Sequence, residues 1–264
     1  MKVNEYYRAS SLEDAYRKLQ EDPKNVILAG GLWIKKIGQS VNTLIDLSTL
    51  GLNKISENEK EVVVGSLVTQ REFENSKVIN SLYGGAIAFA TREVMGVNFR
   101  NLATIGGSIM GRYPFSDVIS GLLPYDVNLE FYPNQVMSLE DYLGYKGKLN
   151  SILVAIHIKK EKGNGFFKKV KTTALDFPII NFGVSKVNGK YTVVVGNRPA
   201  GSIMATKAME YINNIASPSE LDYKKAAEIA ANELAFMDNK DASAEYRKEL
   251  TKVYVKRGLM EVNK

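Results

Sequence analysis

The chain's 264 residues suit two domains, or one domain with a substantial appendage, and 45% hydrophobic with 24% charged residues permit a buried core. With no cysteine and a single histidine, His157, the chain excludes disulfides, thiol catalysis, an iron–sulfur cluster on its own thiolates and a multi-histidine metal site. Its net charge of +6 suits an anionic ligand or an acidic partner surface, whereas dispersed lysines without a recognition motif argue against nucleic acid.

In chain order, Ser10 or Ser11 can cap a helix with Glu13 and Asp14 in its first turn and Leu12, Ala15, Tyr16 and Leu19 at helical spacing. Val26 to Ala29 is a short apolar strand that runs into Gly30 and Gly31. Residues 32–38 are expected as a short helix, and Thr43 to Leu47 as a strand. A strand at 61–66 precedes a helix capped by Thr69, with Glu72 three residues on. A further helix is expected over 82–93. Asn101 to Ile109 reads as a second strand-like segment, broken by Gly106-Gly107, and Ser116-Asp117 starts a helix to Leu123.

Residues 127–132 alternate as a half-exposed strand should, and 151–158 form another strand. The composition of 159–165 shifts to Lys, Glu, Gly and Asn, which marks a domain boundary. Beyond it, two apolar runs, 179–187 and 191–195, flank Asn188-Gly189; both turn residues accept positive φ, a strong hairpin signal. Helices are expected over 202–214, 222–237 and 242–257, with Gly258 as a stop.

The two Gly-Gly segments carry the chemistry. Glycine accepts positive φ and has no Cβ to block close approach. Successive backbone N–H groups can then face one concavity and bind an anion such as a pyrophosphate. Two such loops can clamp one dinucleotide from both sides, and a Cβ branch at Gly106 is expected to crowd the phosphate path. Neither loop is a Walker loop or a Gly-x-Gly-x-x-Gly turn.

Ala29-Gly30-Gly31-Leu32-Trp33-Ile34 resembles the Ala-Gly-Gly-Thr-Asp-Leu motif of a known family, and Arg100-Asn101-Leu102-Ala103-Thr104-Ile105-Gly106-Gly107-Ser108-Ile109 is similar to its Arg-Asn-x-Ala-Thr-Ile-Gly-Gly-Asn-Ile. Pro114-Phe115-Ser116-Asp117, Leu44 to Leu47, Ser138 to Leu143 and Ser243 to Arg247 add likeness in the same order over nearly the whole chain. The family is the FAD-binding medium subunit of the molybdenum hydroxylases, the group of xanthine dehydrogenase and carbon monoxide dehydrogenase.

The resemblance implies an α+β fold: a two-subdomain FAD-binding domain of the molybdenum hydroxylase/vanillyl-alcohol-oxidase type, then a C-terminal domain of a small antiparallel sheet plus helices. The expected boundaries are 1–160 for the first domain, with subdomains of about 1–55 and 56–160, and 161–264 for the second. Backbone amides of Ala29, Gly30, Gly31 and Leu32, and of Gly106, Gly107 and Ser108, would bind the pyrophosphate, with the Thr104 hydroxyl in the same region. Asp117 would accept hydrogen bonds from ribityl or ribose hydroxyls. Leu153 would line the adenine or flavin side, and Lys168 matches a lysine near the flavin. FAD is the implied cofactor. The implied partners are a molybdenum-cofactor subunit and a 2Fe–2S subunit, with NAD(H) as one acceptor.

Leu32 and Trp33 replace the motif's threonine and acid, so the first loop keeps only its backbone logic; Trp33 is expected to pack in the core or against the cofactor. Ser108 replaces the asparagine, and Thr172 stands where the arginine after Lys168 is expected. The second loop, with its hydroxyl and Arg100-Asn101, is therefore the expected firmer anchor. His157 lies in an alternating strand and is expected to meet solvent or a polar partner rather than flavin. Two other readings stay open: a stand-alone FAD-dependent reductase, and a flavin-free scaffold subunit. The polar start and the lack of an apolar run near the roughly 20 residues of a membrane span lead to the expectation of a soluble, cytoplasmic protein.

Overall fold

The computed structural model describes residues 2–34, 40–147 and 149–264. Its elements begin with β1 (Val3–Arg8), α1 (Leu12–Glu21), β2 (Val26–Leu28), β3 (Val41–Asp46), β4 (Ile55–Glu57), β5 (Glu61–Gly65), α2 (Gln70–Asn75) and α3 (Lys77–Ser81). There follow α4 (Ala86–Arg92), α5 (Val97–Arg100), α6 (Ile105–Gly111), α7 (Asp117–Leu122), β6 (Val127–Tyr132), β7 (Gln135–Ser138) and α8 (Leu139–Gly144). The chain ends in β8 (Ile152–Lys159), β9 (Gly163–Val170), β10 (Ile180–Val187), β11 (Lys190–Gly196), β12 (Ile203–Met204), α9 (Thr206–Asn213), α10 (Glu220–Glu233) and α11 (Ala244–Glu261).

Two compact units divide the chain. The first comprises Met1–Phe73, Val97–Gly111 and Val127–Ile158; the second comprises Glu74–Gly96, Arg112–Asp126 and Lys159–Lys264. Two stretches before residue 160 therefore pack with the C-terminal segment. Their apolar residues, such as Ala88, Ala90, Val118 and Leu122, are buried there.

The first unit holds a parallel three-stranded sheet, β1-β3-β2, and a five-stranded sheet, β4-β5-β8-β6-β7. Ser11 caps α1 by accepting from the Asp14 N–H, and Ala15 and Leu19 carry the helix onto Ile45 and Leu47. The largely polar segment 3–8, whose Val3, Tyr6 and Tyr7 favour a strand, becomes β1 through its ladder to β3. In the five-stranded sheet Val127, Leu129 and Phe131 point into the core and alternate with half-exposed neighbours.

The second unit is built on the antiparallel sheet β12-β11-β10-β9. Asn188 (φ 49°) and Gly189 (φ 81°) turn the β10–β11 hairpin as expected. Ile180, Phe182, Val184, Val193 and Val195 form an apolar face with Ala226, Ala227, Ala230, Val255 and Leu259 of α10 and α11. Asn181, Gly183 and Ser185, which alternate with Ile180, Phe182 and Val184 in β10, are buried too, on the side of α7: Ser120 of that helix bonds to Asn181, and Ser185 donates to the Pro124 carbonyl. Both faces of this strand are thus covered, one apolar and one polar.

Several expectations change. The helix expected over 32–38 falls largely on residues 35–39, outside the described residues; 32 and 33 form a turn and Ile34 is in 3₁₀ conformation. Residues 101–109 form no strand: 101 and 102 are a turn, Thr104 makes an isolated bridge to Thr69, and 105–109 lie in α6. The helix expected over 82–93 is broken, because Tyr83, Gly84 and Gly85 take left-handed φ values before α4 starts. Within the stretch 159–165, residues 163–165 already belong to β9, which pairs with β10 despite their polar composition. Gly258 does not stop α11. A Cβ there would lie 2.7 Å from Val184 Cγ2 and 2.8 Å from Phe166 Cδ1, so this glycine lets the helix lie close on the sheet.

Candidate functional site

In the first unit the strand β2 delivers the chain into Ala29-Gly30-Gly31-Leu32, a half-buried turn in which Gly31 has φ 71°. The N–H groups of Gly30, Gly31 and Leu32 donate to no acceptor among the described residues. Gly30 lies against the second Gly-Gly segment: a Cβ on it would stand 1.9 Å from the Leu102 carbonyl oxygen. Beyond the turn, Trp33 packs edge-on against Phe99, with ring centroids 6.1 Å apart. The first loop is thus a set of free backbone donors held in place by backbone packing on the second.

The second segment spends its donors internally. Ile105 N–H donates to the Val68 carbonyl at 2.9 Å, and Gly106 N–H to the Ser66 carbonyl at 3.0 Å. Gly107 N–H donates to Thr104 Oγ1 at 3.0 Å, and Ser108 N–H to the Thr104 carbonyl at 3.1 Å. Thr104 thereby caps α6, and its hydroxyl proton remains for another acceptor. A Cβ at Gly106 would meet Ser66, 2.5 Å from its carbonyl oxygen and 2.7 Å from its Cβ. This corrects the reason expected for that glycine: its missing side chain makes room for protein backbone rather than for a phosphate path.

Sequence reasoning missed Gln70, which touches this segment. Its Nε2 donates to Ser108 Oγ at 2.8 Å, while Ser108 Oγ donates to the Thr104 carbonyl at 3.1 Å. Gln70 Oε1 and the nearby Ser66 Oγ are buried without a hydrogen-bond partner. Only the spacing of Gln70 behind the Thr69 cap could have flagged it.

Asp117 and Lys168 belong to the second unit. Ser116 caps α7, and Asp117 is its first residue, with only 3% of its surface exposed. Its Oδ2 accepts from Lys169 Nζ at 2.9 Å and its Oδ1 from Asn181 Nδ2 at 2.8 Å. Lys169 Nζ also donates to the Glu93 carbonyl at 2.9 Å. Burial pushes the Asp117 carboxyl above the ordinary carboxylate range, and Lys169 and Asn181 work against that rise. Lys168 points to the other face of β9, with its ammonium 5.8 Å from the centre of the Tyr254 ring.

Leu153 is buried on β8 beside Phe131 of β6. His157 meets polar partners, as expected: Nδ1 lies 3.1 Å from Glu61 Oε1 and Nε2 3.0 Å from Glu130 Oε2. Burial would lower its pKa, but the two carboxylates raise it overall. Among the described residues no cluster of histidine and carboxylate side chains could hold a metal, and no helix is long and apolar enough to cross a membrane.

A turn of free amides at a strand end, in an α+β unit joined to an antiparallel sheet with helices, defines a nucleotide-cofactor-binding flavoprotein subunit when set beside known proteins. Residues 1–159 match the FAD binding domain in molybdopterin dehydrogenase, and residues 165–262 match the CO dehydrogenase flavoprotein C-terminal domain. The chain belongs to this family of FAD-binding subunits, and its cofactor is FAD.

The xanthine dehydrogenase FAD-binding subunit of Escherichia coli O157:H7 is 27% identical over 192 residues, which cover 66% of this chain and 65% of that relative. The chain thus spans just under two thirds of that relative's length. The fold matches carbon monoxide dehydrogenase from Hydrogenophaga pseudoflava lacking the Mo-pyranopterin moiety of its molybdenum cofactor, with a TM-score of 0.90 and 20% identity over 99% of this chain and 97% of that one. It also matches quinoline 2-oxidoreductase from Pseudomonas putida 86, with a TM-score of 0.87 and 17% identity over 98% and 96% of the two chains.

Proposed function

We propose that this chain is the FAD-binding electron-transfer subunit of a multi-subunit molybdenum hydroxylase. The observation that carries this reading is the row of free N–H groups at Gly30, Gly31 and Leu32 in a chain whose family binds FAD. Those three donors fit the phosphate oxygens of the cofactor, and the Thr104 hydroxyl adds a fourth donor in the same unit. Asp117, Leu153 and Lys168 are proposed as further contacts, each to be tested by its own substitution.

When bound, FAD supplies the redox chemistry that connects an iron–sulfur partner with an acceptor such as NAD. The chain's own residues bind the cofactor, orient it and exclude water from its phosphates. The chain carries no cysteine for a cluster, so the molybdenum centre and the 2Fe–2S cluster fall to partner subunits. Purification from the native cell under mild conditions tests this. Flavin absorbance with a co-eluting molybdenum-containing chain and a 2Fe–2S chain is expected. A yellow protein that elutes alone and reduces a dye with NADH would overturn the complex; a colourless one would overturn the flavin site.

A further inference from the structure

In the second unit a line of polar side chains ends on Asp117. Ser120 Oγ stands 2.7 Å from Asn181 Oδ1 and 2.6 Å from Ser202 Oγ. A hydroxyl has one proton. Ser120 gives its proton to Asn181 Oδ1, so Ser202 must be the donor to Ser120. The Lys169 ammonium on Oδ2 favours the ionised carboxylate, so Asn181 turns its Nδ2 to Asp117 Oδ1 and its Oδ1 to the Ser120 hydroxyl. Every arrow runs one way, from Ser202 through Ser120 and Asn181 to Asp117. Lys169 closes the other oxygen.

The chain of donors has a space made for it. A Cβ on Gly196 of β11 would stand 2.2 Å from Asn181 Oδ1, 2.4 Å from Ser120 Oγ and 2.8 Å from Ser202 Oγ. Both oxygens of Asp117 are thus offered donors only, the arrangement an ionised carboxylate requires. The charged groups acting on Asp117 are Lys169 of β9, which favours ionisation, and Glu93 beyond α4, which opposes it and is itself paired with Lys171.

We propose that Asn181, oriented by Ser120 and Ser202, is the positioning residue that holds Asp117 as an ionised, acceptor-only carboxylate for FAD. This rests on the reading of Asp117 as a cofactor contact. Burial drives the carboxyl toward its neutral form, and the Asn181 donor opposes that drive. Without the donor the Asp117 pKa rises further. A contact that needs the ionised form is present above this pKa and lost as pH falls through it, so the acid limb of FAD binding moves to higher pH.

The test is FAD titration of the flavin-stripped full chain from pH 5 to pH 9, followed by quenching of flavin fluorescence. Asn181→Leu is expected to weaken FAD about tenfold at the acid end and to move the acid limb upward. Ser120→Ala moves it in the same direction by less, and Ser202→Ala by least. A merely structural role would lower the melting temperature and leave the limb in place. If Asn181→Leu fails to fold by circular dichroism, Ser120→Ala, which removes one hydroxyl, carries the test. An unmoved limb in the folded variants, with FAD lost in Asp117→Ala, would overturn the positioning role. Unchanged affinity in Asp117→Ala would instead overturn the contact on which it rests.

Discussion

The two Gly-Gly segments of the first unit look alike in sequence and do opposite things. In Gly30-Gly31 the N–H groups have no acceptor among the described residues, and the missing side chain of Gly30 lets the loop dock on the Leu102 carbonyl. In Gly106-Gly107 the missing side chains let the backbone settle on Ser66 and on the Thr104 cap, which consumes the same N–H groups. One pair of glycines offers donors, and the other builds the floor beneath them. The sequence had favoured the second loop because it retained a hydroxyl and its flanking residues. Side-chain likeness measures the chemistry of a loop poorly when the working groups are backbone amides.

The largest effects should come where the two segments touch their supports. Gly106→Val forces a branched Cβ into the Ser66 backbone, and Gly30→Val forces one into the Leu102 carbonyl. Each should cost more than about 3 kcal/mol, because backbone gives way less readily than the side chains of an overpacked core. Urea unfolding read by circular dichroism should show both proteins losing stability before flavin content is considered. A Gly106→Val protein of normal stability that lacks flavin would restore the second segment as a phosphate contact and break the contrast.

Gly31→Ala should act more locally. Its Cβ would meet only Leu28 Cδ1, at 3.3 Å, but φ 71° is left-handed and strains alanine by about 1–2 kcal/mol. Relief of that strain by a change of φ and ψ at Gly31 would re-aim the N–H groups of the turn. Modest destabilisation with a clear drop in the flavin-to-protein ratio is expected, read by calorimetry and by absorbance. An unchanged ratio would mean that these amides do not carry the cofactor.

Much of the frame was legible because it is local. The Ser11, Thr69 and Ser116 caps, the Asn188-Gly189 hairpin and the alternation of 127–132 are patterns of neighbouring residues. The helix at 105–111 was not, because two glycines resemble a break and its start depends on acceptors at Val68 and Ser66. The recruitment of 74–96 and 112–126 to the second unit is long-range and leaves no local trace. Around Asp117 the sequence does not tell which of the neighbouring lysines will pair with it. Adjacent lysines on a strand point to opposite faces, so Lys169 pairs with Asp117 while Lys168 lies over Tyr254. Asn181 reads as an ordinary strand residue until the fold brings Ser120 to it.

The smallest effect, with the most informative sign, belongs to Gln70→Leu. The substitution removes the hydrogen bond to Ser108, a loss of about 0.5–1.5 kcal/mol. It also removes a buried acceptor that has no donor, which relieves about 1–3 kcal/mol. Leucine fills a similar volume, so the isolated chain should be unchanged or slightly more stable. The comparison with FAD bound is where the two segments separate. If Gln70 only braces the second segment, flavin affinity stays level along with stability. If its Oε1 takes a donor from the cofactor, affinity falls while the flavin-free protein keeps its melting temperature, and the floor beneath the first loop becomes part of the binding surface.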